Sequence, residues 1–231
     1  MRHLLCLATL AVSLLSAPAL ADKTNLTGDA NLWMNVTAFG EAHRLGSELH
    51  LLSTGNWFYL TKKRYDDFEL TLEVKVPDLE EYVNSGVMFR GQIAYQKDID
   101  SYYAYGYQAE VDPSDRRWSG GLYEQSTPRQ WLFPLHSERS APGEQLTHNH
   151  SPEWSTEKAE AFQVGEWNHY RIRALGPDIK IWVNHVLTTH VTDTAFSEGH
   201  IGVQHHGSRA FAESGSTANT IKFRNIIIEE L

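Results

Sequence analysis

Three stretches of this chain alternate apolar and polar residues and end in groups able to bind hydroxyls or move protons. They are "SGVMFRG" at 85–91, "YGYQAEVD" at 105–112 and "GHIGVQHHG" at 199–207. Successive side chains of a strand point to opposite faces. Val87 and Phe89 form a natural core pair, which sends Arg90 to the other face with Met88. Ala109 and Val111 turned inward send Gln108, Glu110 and Asp112 outward. Ile201 and Val203 do the same for Gln204 and His206, leaving His205 toward the core. One sheet face then carries a guanidinium, two amides, two carboxylates and an imidazole. An imidazole titrates in the working range of a general base, and a carboxyl is the ordinary proton donor or acceptor beside it. A solvated face with no function carries the same residue types, and an arginine beside a glutamate is commonly a surface ion pair. The pattern alone leaves both readings open.

The elements that must position these groups are strands. The clearest is "DFELTLEVKVP" at 67–77, where Phe68, Leu70, Leu72, Val74 and Val76 share one face and Pro77 ends the run. "WNHYRIRAL", "DIKIWVNHVLTTHV" and "TIKFRNIIIEE" repeat the alternation, with Gly, Pro, Asn and Asp between the runs. Asn184-His185 reads as a hairpin turn with histidine where glycine is usual. Ser155 or Thr156 opens the one helical signal, "STEKAEAF". The stretch 113–160, rich in Pro, Ser, His and Trp, reads as irregular, and a connection that long is commonly functional. These features predict an all-β sandwich of two antiparallel sheets, a jelly roll, with the site on the concave face.

The first 21 residues have the form of an export signal: Arg2, an apolar run from Leu4 to Leu15, and Ala19-Leu20-Ala21 as the cleavage site. The single cysteine, Cys6, lies within it, so a mature chain of residues 22–231, read as one domain, has neither disulfides nor a thiol nucleophile. Export without disulfides fits a bacterial periplasm. No later apolar run is long enough for a membrane span. A net charge of −9 argues against nucleic acid as a partner, and no glycine-rich phosphate loop is present.

Seven segments taken in order resemble the 3-keto-disaccharide hydrolase domain family. They are "WFYLTKKRYDDFELTLEVKV", "NSGVMFRG", "GYQAEVD", "GGLYE", "GEWNHYRIRALGPDIKIWVN", "IGVQHHG" and "IKFRNIIIEEL", spanning about residues 45–231. The chain departs from the family at His185 and through an apparent insertion at 136–155. The resemblance implies a concanavalin A-like jelly roll and a periplasmic enzyme cleaving glycosides already oxidised to a ketone at C3. A separate sugar 3-dehydrogenase would make that ketone. It also implies that Arg90, Gln108, Glu110, Tyr123, Gln204 and His206 line the pocket.

The chemistry of such a substrate assigns roles. A C3 ketone acidifies the C2 proton, and C1 carries the leaving group. Deprotonation at C2, an enediolate and elimination form the low-barrier route, with water addition completing a net hydrolysis. His206 suits the base, Arg90 or a divalent metal the oxyanion, and Glu110, Glu124 or Tyr123 the acid at the leaving group. Asn84, Asp112 and Trp118 join the expected substrate contacts. A metal, if present, would sit on His206 with Glu110 or Asp112, whereas "HNH" at His148–His150 reads as an incidental loop pair. Two alternatives stay open. "EVDPSD" imitates the spaced carboxylates of concanavalin-like β-glucanases with Glu110, Asp112 and Asp115. Trp118, Tyr123, Trp131 and Phe133 would serve a non-catalytic carbohydrate-binding module.

Overall fold

The computed structural model describes residues 23–231 apart from Pro152; the export signal expected at 1–21 lies outside the described residues. Two antiparallel sheets face one another. The nine-stranded sheet runs in the order 146–149, 186–193, 178–183, 168–175, 68–75, 221–230, 48–53 and 40–45, with 23–25 paired beside 221–230. The seven-stranded sheet runs 130–133, 122–125, 101–111, 85–96, 199–205, 57–65 and 33–35. Burial follows the alternation read from sequence. Phe68, Leu70, Leu72 and Val74 are buried and the residues between them half-exposed. They meet Val87, Phe89, Ala109, Val111, Ile201 and Val203 of the opposite sheet in one continuous apolar core. Fully burying side chains of this size contributes roughly 1.5–3 kcal/mol each, so the pairing register is fixed by the core.

Asn184 and His185 both adopt positive φ, 46° and 72°, the geometry of a type I′ hairpin turn. Ser155 caps the short helix Thr156–Glu160 by accepting from the Lys158 amide. The stretch 113–160 is more regular than expected. It holds three short strands, Leu122–Gln125, Gln130–Phe133 and Leu146–Asn149. The first two extend the seven-stranded sheet past residues 101–111 and widen its outer face. Among the described residues no helix is long and apolar enough to cross a membrane.

Arg90 is not on that outer face. Its φ is +49°, and the pairing of 85–96 with 101–111 slips between Phe89 and Gln92. Such a bulge inserts one residue and reverses the parity beyond it. The backbone of 199 approaches so closely here that a Cβ on Gly199 would lie 2.3 Å from the Arg90 carbonyl carbon. The guanidinium is 1% exposed and staples three loops together. Nε and Nη2 donate to the Asp66 carbonyl at 3.0 and 2.9 Å, and Nη1 to the Gly176 and Phe196 carbonyls at 2.7 and 3.1 Å. Nη2 also reaches Asp67 Oδ1 at 3.1 Å. The residue that looked poised for an oxyanion is a clamp.

Candidate functional site

The outer face of the seven-stranded sheet carries an open pocket of about 280 Å³. Its floor comes from three adjacent strands. Gln108 and Glu110 project from 101–111, Gln204 from 199–205, and Asn84 from the turn before 85–96. Gly86 pairs with Glu110 across the strands, and a Cβ there would lie 2.5 Å from Gln108 Nε2. The glycine of "NSG" is what lets the Gln108 side chain lie down over the sheet. Gln108 Nε2 donates to Glu110 Oε1 at 2.5 Å and to Gln204 Oε1 at 3.2 Å, and Gln204 Nε2 donates to Asn56 Oδ1 at 2.8 Å. His206 stands at the end of the same row, its amide held by the Asn84 carbonyl at 3.3 Å and its ring edge-on to Tyr82 at 5.4 Å.

Loops supply the walls. Arg116 leaves the turn after the strand and is held by Asp112, Nε donating to Oδ2 at 2.8 Å, with its guanidinium 5.7 Å from the Trp131 ring centre. Arg139, from the inserted segment, lies 5.8 Å over the Tyr123 ring and donates to Gln130 Oε1 at 2.9 Å. Two buried atoms of the lining, Gln108 Oε1 and Trp131 Nε1, have no protein partner. A buried donor or acceptor left unpaired costs about 1–3 kcal/mol.

Burial shifts Glu110 and His206 in opposite directions. Glu110 is 4% exposed, and desolvation, reinforced by Asp112, pushes its pKa up to about 8 while Asn84 and Gln108 pull the other way. The shift favours the protonated carboxyl. The His206 ring is open to the pocket but flanked by protein, and that desolvation holds its pKa below the usual histidine value, with Asp112 opposing and Arg116 and Arg139 assisting. The shift favours the neutral imidazole. Environments that drive two titratable groups apart mark an acid and base pair.

The structure thus brings together Asn84, Gln108, Glu110, Tyr123, Gln204 and His206. It removes Arg90, Glu124, Asp112 and Trp118 from the lining. Glu124 alternates with Tyr123 and Gln125 and points to the interior, where it pairs with Arg129 at 3.3 Å and accepts from Thr127 Oγ1 at 2.6 Å. Asp112 is fully buried behind Arg116, accepting also from the Ser114 amide. Trp118 backs Trp131 edge-on at 4.7 Å. Sequence reasoning missed Asn56, Tyr82, Gln125, Arg116 and Arg139; of these Gln125 shares the parity of Tyr123, and the rest lie outside the strands read as alternating.

The metal ligand set read from the sequence does not converge. Among the described residues, His206, Glu110 and Asp112 do not bring donor atoms within 4.8 Å of one another, and Asp112 is committed to Arg116. The β-glucanase spacing fails similarly. Pro113 ends the strand, and Asp115 lines a separate cleft of about 440 Å³ with Phe162 and Val164. Glu110 is the one carboxylate among the residues lining the polar pocket, whereas retaining glycosidases need two about 5–5.5 Å apart.

A concanavalin A-like jelly roll with a polar, aromatic-walled pocket across its outer sheet defines a carbohydrate-active protein. The chain belongs to the 3-keto-α-glucoside-1,2-lyase-like domain family, whose pattern matches residues 19–229. No functionally curated protein sequence matches it. Solved structures share the fold at low identity. The carbohydrate-binding module CBM66 from Bacillus subtilis is 18% identical, with a TM-score of 0.53 over 86% of this chain and 96% of its own. A candidate glycosyl hydrolase from Parabacteroides distasonis is 13% identical, with a TM-score of 0.55 over 90% and 94%. The carbohydrate recognition domain of Emp47p is 13% identical, with a TM-score of 0.53 over 94% and 100%. At these identities the likeness concerns the fold alone.

Proposed function

We propose that this protein cleaves 3-keto-glycosides by eliminating the C1 substituent, after export to the periplasm and downstream of a sugar 3-dehydrogenase. The observation that carries the reading is the convergence of a buried Glu110, whose carboxyl desolvation pushes up to about 8, and of His206, whose ring desolvation holds below the usual histidine value, on one pocket. His206 takes the C2 proton, and the electron pair enters the C2–C3 bond as an enediolate. Collapse restores the C3 carbonyl, forms a C1–C2 double bond and breaks the bond from C1 to the leaving oxygen. Glu110 supplies the proton to that oxygen, and water added at C1 makes the outcome a net hydrolysis. The charge developing at O3 needs donors fixed in advance. Arg116, tethered by Asp112, takes the part for which Arg90 is unavailable by position. Tyr82 and Tyr123 offer ring faces to the sugars.

The test is product release from a 3-keto-glucoside and from its unoxidised parent, with wild type, Glu110→Gln and His206→Ala. Cleavage of the keto sugar alone, reduced at least about 100-fold in each variant, is expected. Equal cleavage of the parent refutes the keto requirement. Sugar binding without any cleavage places the protein with the binding modules.

A further inference from the structure

We propose a second site: a divalent transition-metal site on the outer face of the nine-stranded sheet, formed by His150, His190 and Asp178. Alternation turns Asp178 and His190 outward, since Ile179, Ile181 and Val191 beside them are buried in the core. The "HNH" run is not a loop pair: His148 lies in the edge strand Leu146–Asn149, and the His150 amide donates to the His190 carbonyl at 2.9 Å. One donor atom from each of His150, His190 and Asp178 falls within 4.8 Å of the others. The His150 and His190 rings stack at 4.1 Å, and the His148 ring centre lies 4.2 Å from that of His150.

Donors held about 2.1 Å from a tetrahedral ion lie about 3.3–3.5 Å apart. The His190 Nε2 to Asp178 Oδ1 distance of 2.7 Å must therefore open slightly and the wider pairs close by at most about 1.5 Å. Rotation of the exposed His150 ring and the half-buried His190 ring supplies that movement. Lys180 at 2.9 Å and Arg173 at 4.0 Å from Asp178 Oδ2 compete for the carboxylate, but the ion is approached by Oδ1. Two imidazoles with one carboxylate favour zinc, copper or nickel over calcium or magnesium. An ion here cross-links three strands and anchors the inserted segment that delivers Arg139 to the pocket.

The experiment is calorimetric titration of zinc chloride into the tag-free chain after chelation and dialysis, alongside thermal melts with and without zinc. Wild type should bind one equivalent and gain melting temperature. His150→Gln and His190→Gln should each weaken zinc at least about tenfold, with the melt of His150→Gln in chelator unchanged because that side chain is exposed. His43→Gln, a surface histidine on another strand, should bind as wild type does. No uptake by wild type overturns the proposal. So does one-equivalent binding retained by the His150→Gln/His190→Gln double variant, or a preference for calcium. Glycoside cleavage enters none of these readouts, so they are independent of the proposed activity.

Discussion

Replacing Glu110 by glutamine should make the protein more stable at alkaline pH, and the gain should grow along a defined slope. The folded carboxyl titrates near pH 8, whereas an unfolded one titrates near the ordinary 4.5. Between those values the folded chain retains a proton that the unfolded chain has released. Unfolding therefore releases one proton, and stability falls by about 1.4 kcal/mol per pH unit across the window. Below pH 4.5 both states are protonated and the penalty vanishes; above pH 8 both are ionised and it is constant. The full span, 8 minus 4.5 units, corresponds to an upper value on the order of 4–5 kcal/mol. Glutamine keeps the shape and can still accept from Gln108 Nε2, which donates at 2.5 Å, but it carries no proton to lose. Urea denaturation of both proteins from pH 5 to pH 9 reads the difference directly. Every other titrating group contributes equally to both curves, so the difference isolates Glu110. Stability curves that stay parallel across the series would refute the view that Glu110 is buried as a neutral acid.

The remaining predictions concern the clamp, the pH profile and the pocket floor. Arg90→Met should lower unfolding free energy by about 3–5 kcal/mol, because the buried guanidinium is lost and four acceptors on three loops lose their common donor. Its KM on folded protein should be unchanged; a raised KM with intact stability would return Arg90 to the pocket. The pH dependence of kcat/KM should rise along a limb below 6.5 belonging to His206 and fall along one near 8 belonging to Glu110. His206→Ala should abolish the acid limb, and its survival would reassign the base. Gly86→Ala should cut kcat at least about tenfold through displacement of Gln108, at a stability cost of about 1–3 kcal/mol. Unaltered turnover would show that the Gln108 position does not matter.

The faces of Gln108, Glu110, Gln204 and His206 were legible from alternation because their strands stay in register wherever a core pair sits beside them. Arg90 was not, since a bulge is a local backbone event and an arginine followed by glycine does not announce one. The positive φ at Arg90 and the empty space required at Gly199 exist only once neighbouring strands are in place. Glu124 was legible and overlooked: alternation from Tyr123 sends it inward to Arg129. Arg116 and Arg139 come from turns, where no period links residue number to direction. The histidine run at 148–150 was hidden for a related reason, as its strand is recognisable only through pairing with 186–193. The jelly roll itself followed from composition and alternation, because burial of one face per strand dictates two packed layers.

The central claim is tested most directly with a 3-keto-glucoside deuterated at C2. Proton abstraction by His206 predicts a primary isotope effect on kcat/KM and an unsaturated 2-hydroxy-3-keto sugar as the first product, both lost in His206→Ala. Cleavage without an isotope effect, yielding the intact 3-keto sugar from the outset, would contradict elimination and point to direct displacement at C1.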